Sequence, residues 1–233
     1  MINLLCYTDP SKNFATEEDK VMAKIQIDNA LDLGWKREDI LIAADFEYEY
    51  NGVKSVAVED KNPITWNLTQ GKIVAITQLF AKGLIKQGQL YWFHDFDAFQ
   101  LESFTEEELE LSGFDMGLTD STHRMFGGGS FFFNHKTKDI FDWTMNNIYQ
   151  NHSDEERSFE HLAKTNELNM KNRYKMLDHT YNLGVDNFQR NYDMSQKPIR
   201  VAHFHPYKKH HVKLFRDILP ERFKKIFRSH GID

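Results

Sequence analysis

Residues 90–100 read LYWFHDFDAFQ, and this stretch decides the predicted fold. The apolar run Leu90–Phe93 is short enough for one buried strand, and Asp95 and Asp97 follow it on either side of Phe96. On an extended chain, side chains two residues apart point to the same side, so the two carboxylates would face one place. Such a pair suits Mg²⁺ or Mn²⁺, although a polar turn that simply ends a strand is the competing interpretation.

The chain before this stretch alternates predicted strands and helices. Residues 2–7 and 39–45 are apolar runs typical of buried strands, and residues 16–34 between them have helical spacing, a capping threonine and a terminal glycine. Residues 71–86 form a second helix that leads into Leu90. The pattern predicts an α/β fold, in which ligands bind outside the carboxyl ends of the strands. The aspartate pair lies at such an end, which favours a site over a plain turn.

A glycine run, residues 127–129, precedes an aromatic segment typical of a strand, residues 130–134. Consecutive glycines cost chain entropy and contribute no packing. They therefore indicate either a permissive turn or a place where the backbone approaches a ligand closely.

Acidic residues open the predicted helix at 153–162, where Asp154, Glu155 and Glu156 lie in the first turn. The helix dipole favours negative charge at that position, which is one explanation of all three. The other explanation is that one of them borders a substrate.

Two histidines and two lysines follow one another near the C-terminus. His203 and His205 end a predicted strand over residues 199–206, and Lys208 and Lys209 come directly after it. Imidazole is a ligand for Mn²⁺ or Zn²⁺, and a cationic cluster beside a metal suits a diphosphate. A hydrogen-bonded histidine and a solvated basic turn are the alternatives.

Composition predicts a globular chain. Its 233 residues are 40% hydrophobic and 14% aromatic, enough for a core, and the net charge of −6 gives no overall basic field, so we expect no nucleic-acid partner. The single cysteine, Cys6, excludes an intrachain disulfide and indicates a reducing compartment. The first residues lack the basic start of a signal peptide, and no window reaches the about 20 apolar residues of a membrane span. We therefore expect a cytoplasmic protein.

The C-terminal segment is predicted as a separate unit. Residues 1–211 would form the main domain, and residues 212–233 a basic amphipathic helical segment, broken by Pro220, that packs on it. Peripheral contact of this segment with an anionic membrane is the alternative.

Taken in order, these features resemble the GT-A glycosyltransferases, most closely the family of glycogenin and the bacterial lipopolysaccharide galactosyltransferases. In that family an N-terminal strand and its turn hold the nucleotide, an Asp-x-Asp motif binds Mn²⁺, and a histidine on a later strand completes the metal site. The similar parts here are Leu4–Asp9, Asp95–Asp97 and His203. Shorter matches are Gly127–Asn134 to the family's glycine-containing strand, Asp154–Glu156 to its acidic helix start, Thr180–Gly184 to its short Trp-Asn turn, and His203–Pro206 with Lys208 or Lys209 to its His-Phe-x-Gly and following lysine.

The resemblance implies one Rossmann-like GT-A domain with a mixed, mainly parallel sheet. It implies transfer of a sugar from a nucleotide diphosphate donor, expected to be a UDP-sugar, to a hydroxyl acceptor with Mn²⁺ or Mg²⁺. Asp95, Asp97 and His203 would hold the metal. The nucleotide and its phosphates would contact Tyr7, Thr8, Asp9, Asp95, Lys208 and Lys209.

Glu155 and Glu156 are the expected catalytic residues. If the reaction retains configuration, they would mainly stabilise positive charge at the sugar, and if it inverts, one of them must act as general base on the acceptor hydroxyl. The family resemblance favours retention.

Two other functions are consistent with the residues. A metal-dependent phosphoesterase or nuclease would use Asp95, Asp97, His203 and His205 around two ions, although the further carboxylates of a two-metal site are not apparent in the sequence. A non-catalytic carbohydrate-binding protein would instead stack aromatic side chains on sugar rings.

Overall fold

The computed structural model describes residues 1–7, 16–59 and 68–232. The strands are β1 Ile2–Tyr7, β2 Ile40–Ala44, β3 Glu49–Tyr50, β4 Val53–Ala57, β5 Leu90–His94, β6 Ala98–Gln100, β7 Met116–Thr119, β8 Gly127–Asn134, β9 Tyr174–Leu177 and β10 Val201–His203. The helices are α1 Glu17–Asp32, α2 Leu68–Ala81, α3 Glu106–Leu109, α4 Lys138–Asn151, α5 Glu155–Thr165, α6 Phe188–Met194, α7 Lys209–Phe215 and α8 Glu221–Ser229. Short 3₁₀ helices lie at Arg37–Asp39, His135–Thr137, Glu167–Asn172 and His179–Tyr181.

A mixed sheet forms the centre of the molecule. Across the described residues its strand order is β3-β4-β2-β1-β5-β8-β7-β9, and β6 and β10 form a separate two-stranded sheet. The neighbours from β4 to β5 are parallel, as are β7 and β9, whereas β3 and β8 run antiparallel to their neighbours. This arrangement confirms the predicted α/β fold with a mainly parallel sheet.

β5 lies in the middle of this sheet, between β1 and β8. A strand with both faces covered is apolar throughout, which is why Leu90–Phe93 shows no alternation. Trp92 and Phe93 are fully buried, and β8 sets Phe131 opposite Phe93 with ring centroids 4.6 Å apart. Much of the aromatic content therefore builds the core under the aspartate pair.

The predicted helices are confirmed, although several boundaries differ by a few residues. Thr16 and Asp19 form the reciprocal capping bonds expected at the start of α1. α2 ends at Ala81, five residues before the predicted end, because Gly83 takes a left-handed conformation at φ +65° that a helix cannot continue.

The strand predicted over residues 199–206 is shorter than expected. β10 ends at His203 because the chain then turns, with Lys208 N donating to His205 O at 3.1 Å. β10 pairs antiparallel with β6, and Phe204 N donates to Asp97 O at 2.9 Å. This pairing fastens the C-terminal part of the chain to the turn that carries the aspartates.

The C-terminal helices use their apolar side for packing. Phe215, Phe223 and Phe227 are buried in a cluster with Phe99 of β6 and Ile25 of α1. Membrane contact through this apolar face therefore gains no support, while the boundary at residue 212 stays a prediction. Among the described residues, no helix combines the length and the apolar character that a bilayer crossing requires.

Candidate active site

Asp95 and Asp97 lie in a tight turn between β5 and β6. Ala98 N donates to Asp95 O at 3.0 Å, which closes the turn directly after His94. The expectation of an extended chain at the two aspartates is therefore wrong, and the turn sets the directions of their side chains. Their carboxylate oxygens nevertheless lie within 4.8 Å of one another.

His203 joins the aspartates from β10. The antiparallel register sets His203 opposite Ala98, and its Nε2 atom lies 3.1 Å from Asp97 Oδ1. One ligand atom from each of Asp95, Asp97 and His203 falls within 4.8 Å of the others. Carboxylate oxygens and an imidazole nitrogen are ligands that Mn²⁺ accepts, so this triad could hold a divalent ion with further positions left for water and substrate.

The charges of Asp97 and His203 are coupled. Burial alone would lower the pKa of His203, but the Asp97 carboxylate raises it to about 9. Burial alone would raise the pKa of Asp97, but His203 holds it well below its ordinary value. Opposite charges therefore keep the two side chains together.

Lys72 of α2 is a buried cation beside this triad, and the sequence reasoning missed it. Its Nζ atom lies 3.0 Å from Asp95 Oδ1 and 2.9 Å from Glu155 Oε1, and it donates to Gly128 O at 2.9 Å. Burial alone would lower the pKa of Lys72, but the two carboxylates raise it above its ordinary value. Lys72 is thus a charged tie between the aspartate turn and the start of α5.

Glu155 is buried at the first position of α5, with 3% of its surface exposed. Oε1 pairs with Lys72, while Oε2 is buried and has no hydrogen-bond partner among the described residues. Burial raises the pKa of Glu155, although Lys72 opposes this. Asp154, by contrast, is the N-cap of α5, because its side chain accepts from Arg157 N, and this fits a role at the helix end.

Glu156, the next residue, is held by both of its carboxylate oxygens. Gly128 N donates to Oε1 at 2.7 Å, and Arg124 Nε lies 3.1 Å from Oε2. The two neighbouring glutamates therefore differ: Glu155 has a spare oxygen, and the oxygens of Glu156 are both engaged.

The glycine run at residues 127–129 lies inside β8, so the turn interpretation is wrong. A Cβ atom would stand 2.8 Å from Asn182 Nδ2 at residue 127, 2.4 Å from Glu155 Oε1 at residue 128 and 2.2 Å from His203 Nδ1 at residue 129. Atoms do not approach that closely, so only glycine lets these three side chains lie against the strand. The groups that approach the backbone of this glycine run closely are therefore the protein's own side chains.

Two clefts meet at the triad. Asp97, Gly128, Gly129, Glu156, His203 and His205 line both of them. The first, called the β1 cleft, is also lined by Cys6, Tyr7, Glu18, Asp19, Met22, Lys72, Asp95, Phe96 and Glu155. The second, called the Asn182 cleft, is also lined by residues that include Asp120, His179, Asn182, Asp186 and Lys208.

Several solved structures share this architecture, although no family model and no curated protein sequence matches the chain. Galactosyltransferase LgtC, solved with donor and acceptor sugar analogues, has a TM-score of 0.60 at 12% identity, over 98% of this chain and 96% of LgtC. A glycosyltransferase involved in glycosylation of the major capsid of PBCV-1 has a TM-score of 0.58 at 11% identity, over 93% of this chain and 98% of its own. The chain has the GT-A fold. GlyE of Streptococcus pneumoniae TIGR4 is also similar, with a TM-score of 0.57 at 12% identity, over 99% of this chain and 64% of GlyE.

Within the GT-A fold, most of the predicted site residues come together. Asp95, Asp97 and His203 form the triad, and Glu155 and Glu156 lie beside it. Their roles in binding and catalysis stay predictions at this point.

The residues predicted to contact the nucleotide and its phosphates lie in different parts of the structure. Tyr7 lines the β1 cleft, and Lys208 lines the Asn182 cleft. Lys209 is exposed at the start of α7 and lines neither cleft. Thr8 and Asp9 lie outside the described residues.

His205, the second histidine of the His-x-His pair, stands apart from the triad. Its Nε2 atom lies 3.6 Å from Glu18 Oε1, and its backbone N donates to His211 Nδ1 at 3.1 Å. The geometry therefore groups His203, and not His205, with the two aspartates.

Proposed function

We propose that this chain is a metal-dependent glycosyltransferase that moves a sugar from a UDP-sugar to a hydroxyl acceptor with retention of configuration. The observation that carries the proposal is the position of the triad where two clefts meet in a GT-A fold. A transferase must hold two substrates with their reacting atoms adjacent, and two clefts that meet at the triad suit that need. The structurally similar proteins are named glycosyltransferases, and LgtC was solved with donor and acceptor sugar analogues.

Asp95, Asp97 and His203 would hold the metal. Two carboxylates with an imidazole suit Mn²⁺, and Mg²⁺, which prefers oxygen ligands, is the alternative ion. The divalent ion supplies positive charge that offsets the charge developing on the diphosphate leaving group. In this assignment Asp97 would bind the metal directly, and Asp95 would bind the metal and could also contact the ribose.

The donor would extend from the β1 cleft to the triad. Tyr7, at the carboxyl end of β1, borders the cleft that would take the nucleotide, and Thr8 and Asp9 next to it stay predicted contacts. Lys208 lines the other side of the triad and would donate to the phosphates. Lys209, which lines neither cleft, is the weaker of the two predicted phosphate ligands.

Glu155 and Glu156 would have different roles. Glu155 keeps one buried oxygen without a partner among the described residues, and this oxygen would stabilise positive charge at the anomeric carbon. Both oxygens of Glu156 are engaged by Gly128 and Arg124, which leaves it poorly suited to take a proton from an acceptor hydroxyl. That difference makes Glu155 the better placed of the two to act on the reacting sugar.

A thermal-shift titration tests the proposal. Nucleoside diphosphates with each of the common bases, UDP-glucose and UDP-galactose would be added to the chain with and without Mn²⁺. A ligand at 100 times its Kd stabilises the native state by about 2.7 kcal/mol, which is readily seen. We expect UDP and at least one UDP-sugar to raise the Tm only when Mn²⁺ is present.

The matched variants are Asp97→Ala and Asp142→Ala, because Asp142 is an exposed aspartate on α4 outside both clefts. Asp97→Ala should fold and lose the shift, whereas Asp142→Ala should keep it. A shift that survives Asp97→Ala, or no shift with any nucleotide, would contradict the assignment. Once a substrate pair is known, the anomeric configuration of the product by NMR decides between retention and inversion.

No specific observation favours either of the two competing functions. A two-metal phosphoesterase needs a second set of ligands, and within the described ranges the triad is the one grouping of histidine, cysteine and acidic side chains close enough to hold an ion. A non-catalytic carbohydrate-binding protein would bind glycans equally well after chelation of metal. The cytoplasmic location and the lack of a nucleic-acid partner stay predictions.

A further inference from the structure

Asn182 carries a buried polar atom that the proposed reaction leaves unexplained. The residue lies just after the 3₁₀ helix His179–Tyr181, with 8% of its surface exposed. Its Nδ2 atom donates to Thr119 Oγ1 at 3.1 Å. Its Oδ1 atom is buried and has no hydrogen-bond partner in the described part of the chain. A buried acceptor left in this way costs about 1–3 kcal/mol, so it calls for a donor.

The hydrogen bonds of Thr119 fix which way the Asn182 amide faces. Thr119 Oγ1 lies 2.8 Å from Ser130 O and 3.1 Å from Gly127 O, and both of these carbonyls can only accept. The single hydroxyl proton is therefore given to a carbonyl, and the hydroxyl oxygen can accept from Asn182. The amide must turn Nδ2 toward Thr119 and Oδ1 away from it.

The Asn182 amide lies against the glycines that begin β8, and its oxygen and the His203 ring both lie close to Gly129. A Cβ at residue 127 would meet Asn182 Nδ2 at 2.8 Å, which places the nitrogen over Gly127. A Cβ at residue 129 would meet both Asn182 Oδ1, at 3.2 Å, and His203 Nδ1, at 2.2 Å. The unsatisfied oxygen and the outer nitrogen of the imidazole therefore border the same point on the strand.

The two nitrogens of His203 have different tasks. Nε2 faces Asp97 within the triad. A histidine that binds a metal through Nε2 must be neutral and carry its proton on Nδ1, and an acceptor for that Nδ1–H fixes the tautomer and the plane of the ring. Asn182 Oδ1 is an unused acceptor, and it borders the same point of β8 as that nitrogen.

We propose that Asn182 is a positioning residue for the metal ligand His203, accepting a hydrogen bond from Nδ1–H while Thr119 holds its amide in the required orientation. The proposal rests on the proposed metal site. It also explains why residue 129 is a glycine, because any side chain there would separate the His203 imidazole from the Asn182 amide.

Mn²⁺ affinity, measured by electron paramagnetic resonance of the free ion, tests the proposal without any turnover. Loss of a hydrogen-bond partner behind a metal-binding histidine weakens metal binding by about 10- to 100-fold. We expect that loss in Asn182→Ala and recovery in Asn182→Asp, which keeps a carboxylate oxygen for Nδ1–H. Thr119→Val should weaken binding by a smaller factor because the amide can then turn over, and Thr119→Ser should bind as the wild type does.

The matched control is Asn147→Ala on α4. Asn147 Nδ2 donates to Ser158 Oγ at 2.9 Å, so this variant removes the same kind of hydrogen bond from a site that lines neither cleft. Its Mn²⁺ affinity should be unchanged. A second readout is long-range ¹H–¹⁵N NMR of the histidines in the Mg²⁺-loaded protein, where His203 should be the Nδ1–H tautomer in the wild type and lose that single form in Asn182→Ala.

Two results overturn the proposal. Mn²⁺ affinity in Asn182→Ala equal to that of the wild type shows that the amide does not position the ligand. A folded wild type that binds no divalent ion removes the metal site and the positioning role with it. The Asp97→Ala variant separates the two failures, because it loses Mn²⁺ whenever the triad is the metal site, whatever Asn182 does.

Discussion

The ammonium of Lys72 and the carboxylate of Glu155 form an ion pair of 2.9 Å in which both side chains are about 95% removed from solvent. The same ammonium lies 3.0 Å from Asp95. The single Lys72 side chain therefore balances the charge of a proposed metal ligand, Asp95, and of a proposed catalytic carboxylate, Glu155. The carboxylates that would act on a donor sugar are held in place by Lys72, which is far from both of them in sequence.

Removal of the Lys72 charge alone should destabilise the protein more than removal of the Lys72 and Glu155 charges together. Lys72→Met leaves Asp95 and Glu155 facing each other without a counter-charge, and breaking a buried pair on one side costs about 3–5 kcal/mol. Lys72→Met combined with Glu155→Gln should recover part of that free energy, since it removes one of the two uncompensated charges. Urea unfolding of the wild type, both single variants and the double variant measures this coupling. Strictly additive effects would show that the two groups do not depend on each other.

A methyl group at residue 129 should disrupt the proposed metal site and spare the fold. The added Cβ of Gly129→Ala would stand 2.2 Å from His203 Nδ1, so the imidazole must swing away from Asp97. We expect Mn²⁺ affinity to fall by about 10-fold or more, the loss typical when a metal ligand is displaced or left unsupported, with an unchanged circular dichroism spectrum. Gly184→Ala is the control, because its Cβ would meet nothing within 4 Å. Normal Mn²⁺ affinity in Gly129→Ala would place His203 outside the site.

The fold was predictable because its signals are local. The uninterrupted apolar run Leu90–Phe93, the capping box at Thr16 and the helical spacing of residues 71–86 each reflect a rule that acts over a few residues. Parallel strands joined by helices then leave few topologies. The aspartate pair was predictable for the same reason, since it directly follows the run that marks the central strand.

The surroundings of the aspartate pair were less predictable because they depend on pairings over long sequence distances. Lys72 looks like a helix-surface lysine, although its neighbours Ile73 and Val74 are apolar and buried, and that context is the one signal that it is buried too. Gly129 gives no local sign that it makes room for His203, which comes from the antiparallel pairing of β10 with β6. The separate environments of Glu155 and Glu156 likewise exist only once α5 meets β8 and α2.

The C-terminal helix α8 should be part of the folding core. Phe223 is fully buried, and its ring centroid lies 5.2 Å from that of Phe99 in β6. Phe223→Ala should lower the free energy of unfolding by about 3–5 kcal/mol through lost contacts and a cavity. Leu214→Ala on α7, where 40% of the side chain is exposed, should cost about 1 kcal/mol or less. Similar small losses in both variants, measured by urea unfolding, would mean that α8 is not part of the core.

An ion-pair cluster at the start of β9 should give an acid-sensitive share of stability. Arg173 contacts Asp139 at 2.6 Å and Asp115 at 2.8 Å, which ties the start of α4 to the segment entering β9. Burial alone would raise the pKa of Asp139, but Arg173 holds it below the ordinary value of 3.8. A carboxyl whose pKa is lower in the folded state stabilises the protein above about pH 4 and loses that contribution as the pH falls through its folded-state pKa.

Asp139→Asn should therefore be less stable than the wild type at pH 7, by about 0.5–1 kcal/mol because Asp139 is half exposed and screened by solvent. The difference should begin to shrink as the pH drops below about 4, where the unfolded-state carboxyl gains its proton, and should approach zero below the folded-state pKa. Asp142→Asn, on the same helix with an exposed partner in Lys138, should show little difference at either pH. Urea unfolding of the three proteins at pH 7 and pH 3 measures this. A gap between wild type and Asp139→Asn that is as wide at pH 3 as at pH 7 would assign the effect to packing, not charge.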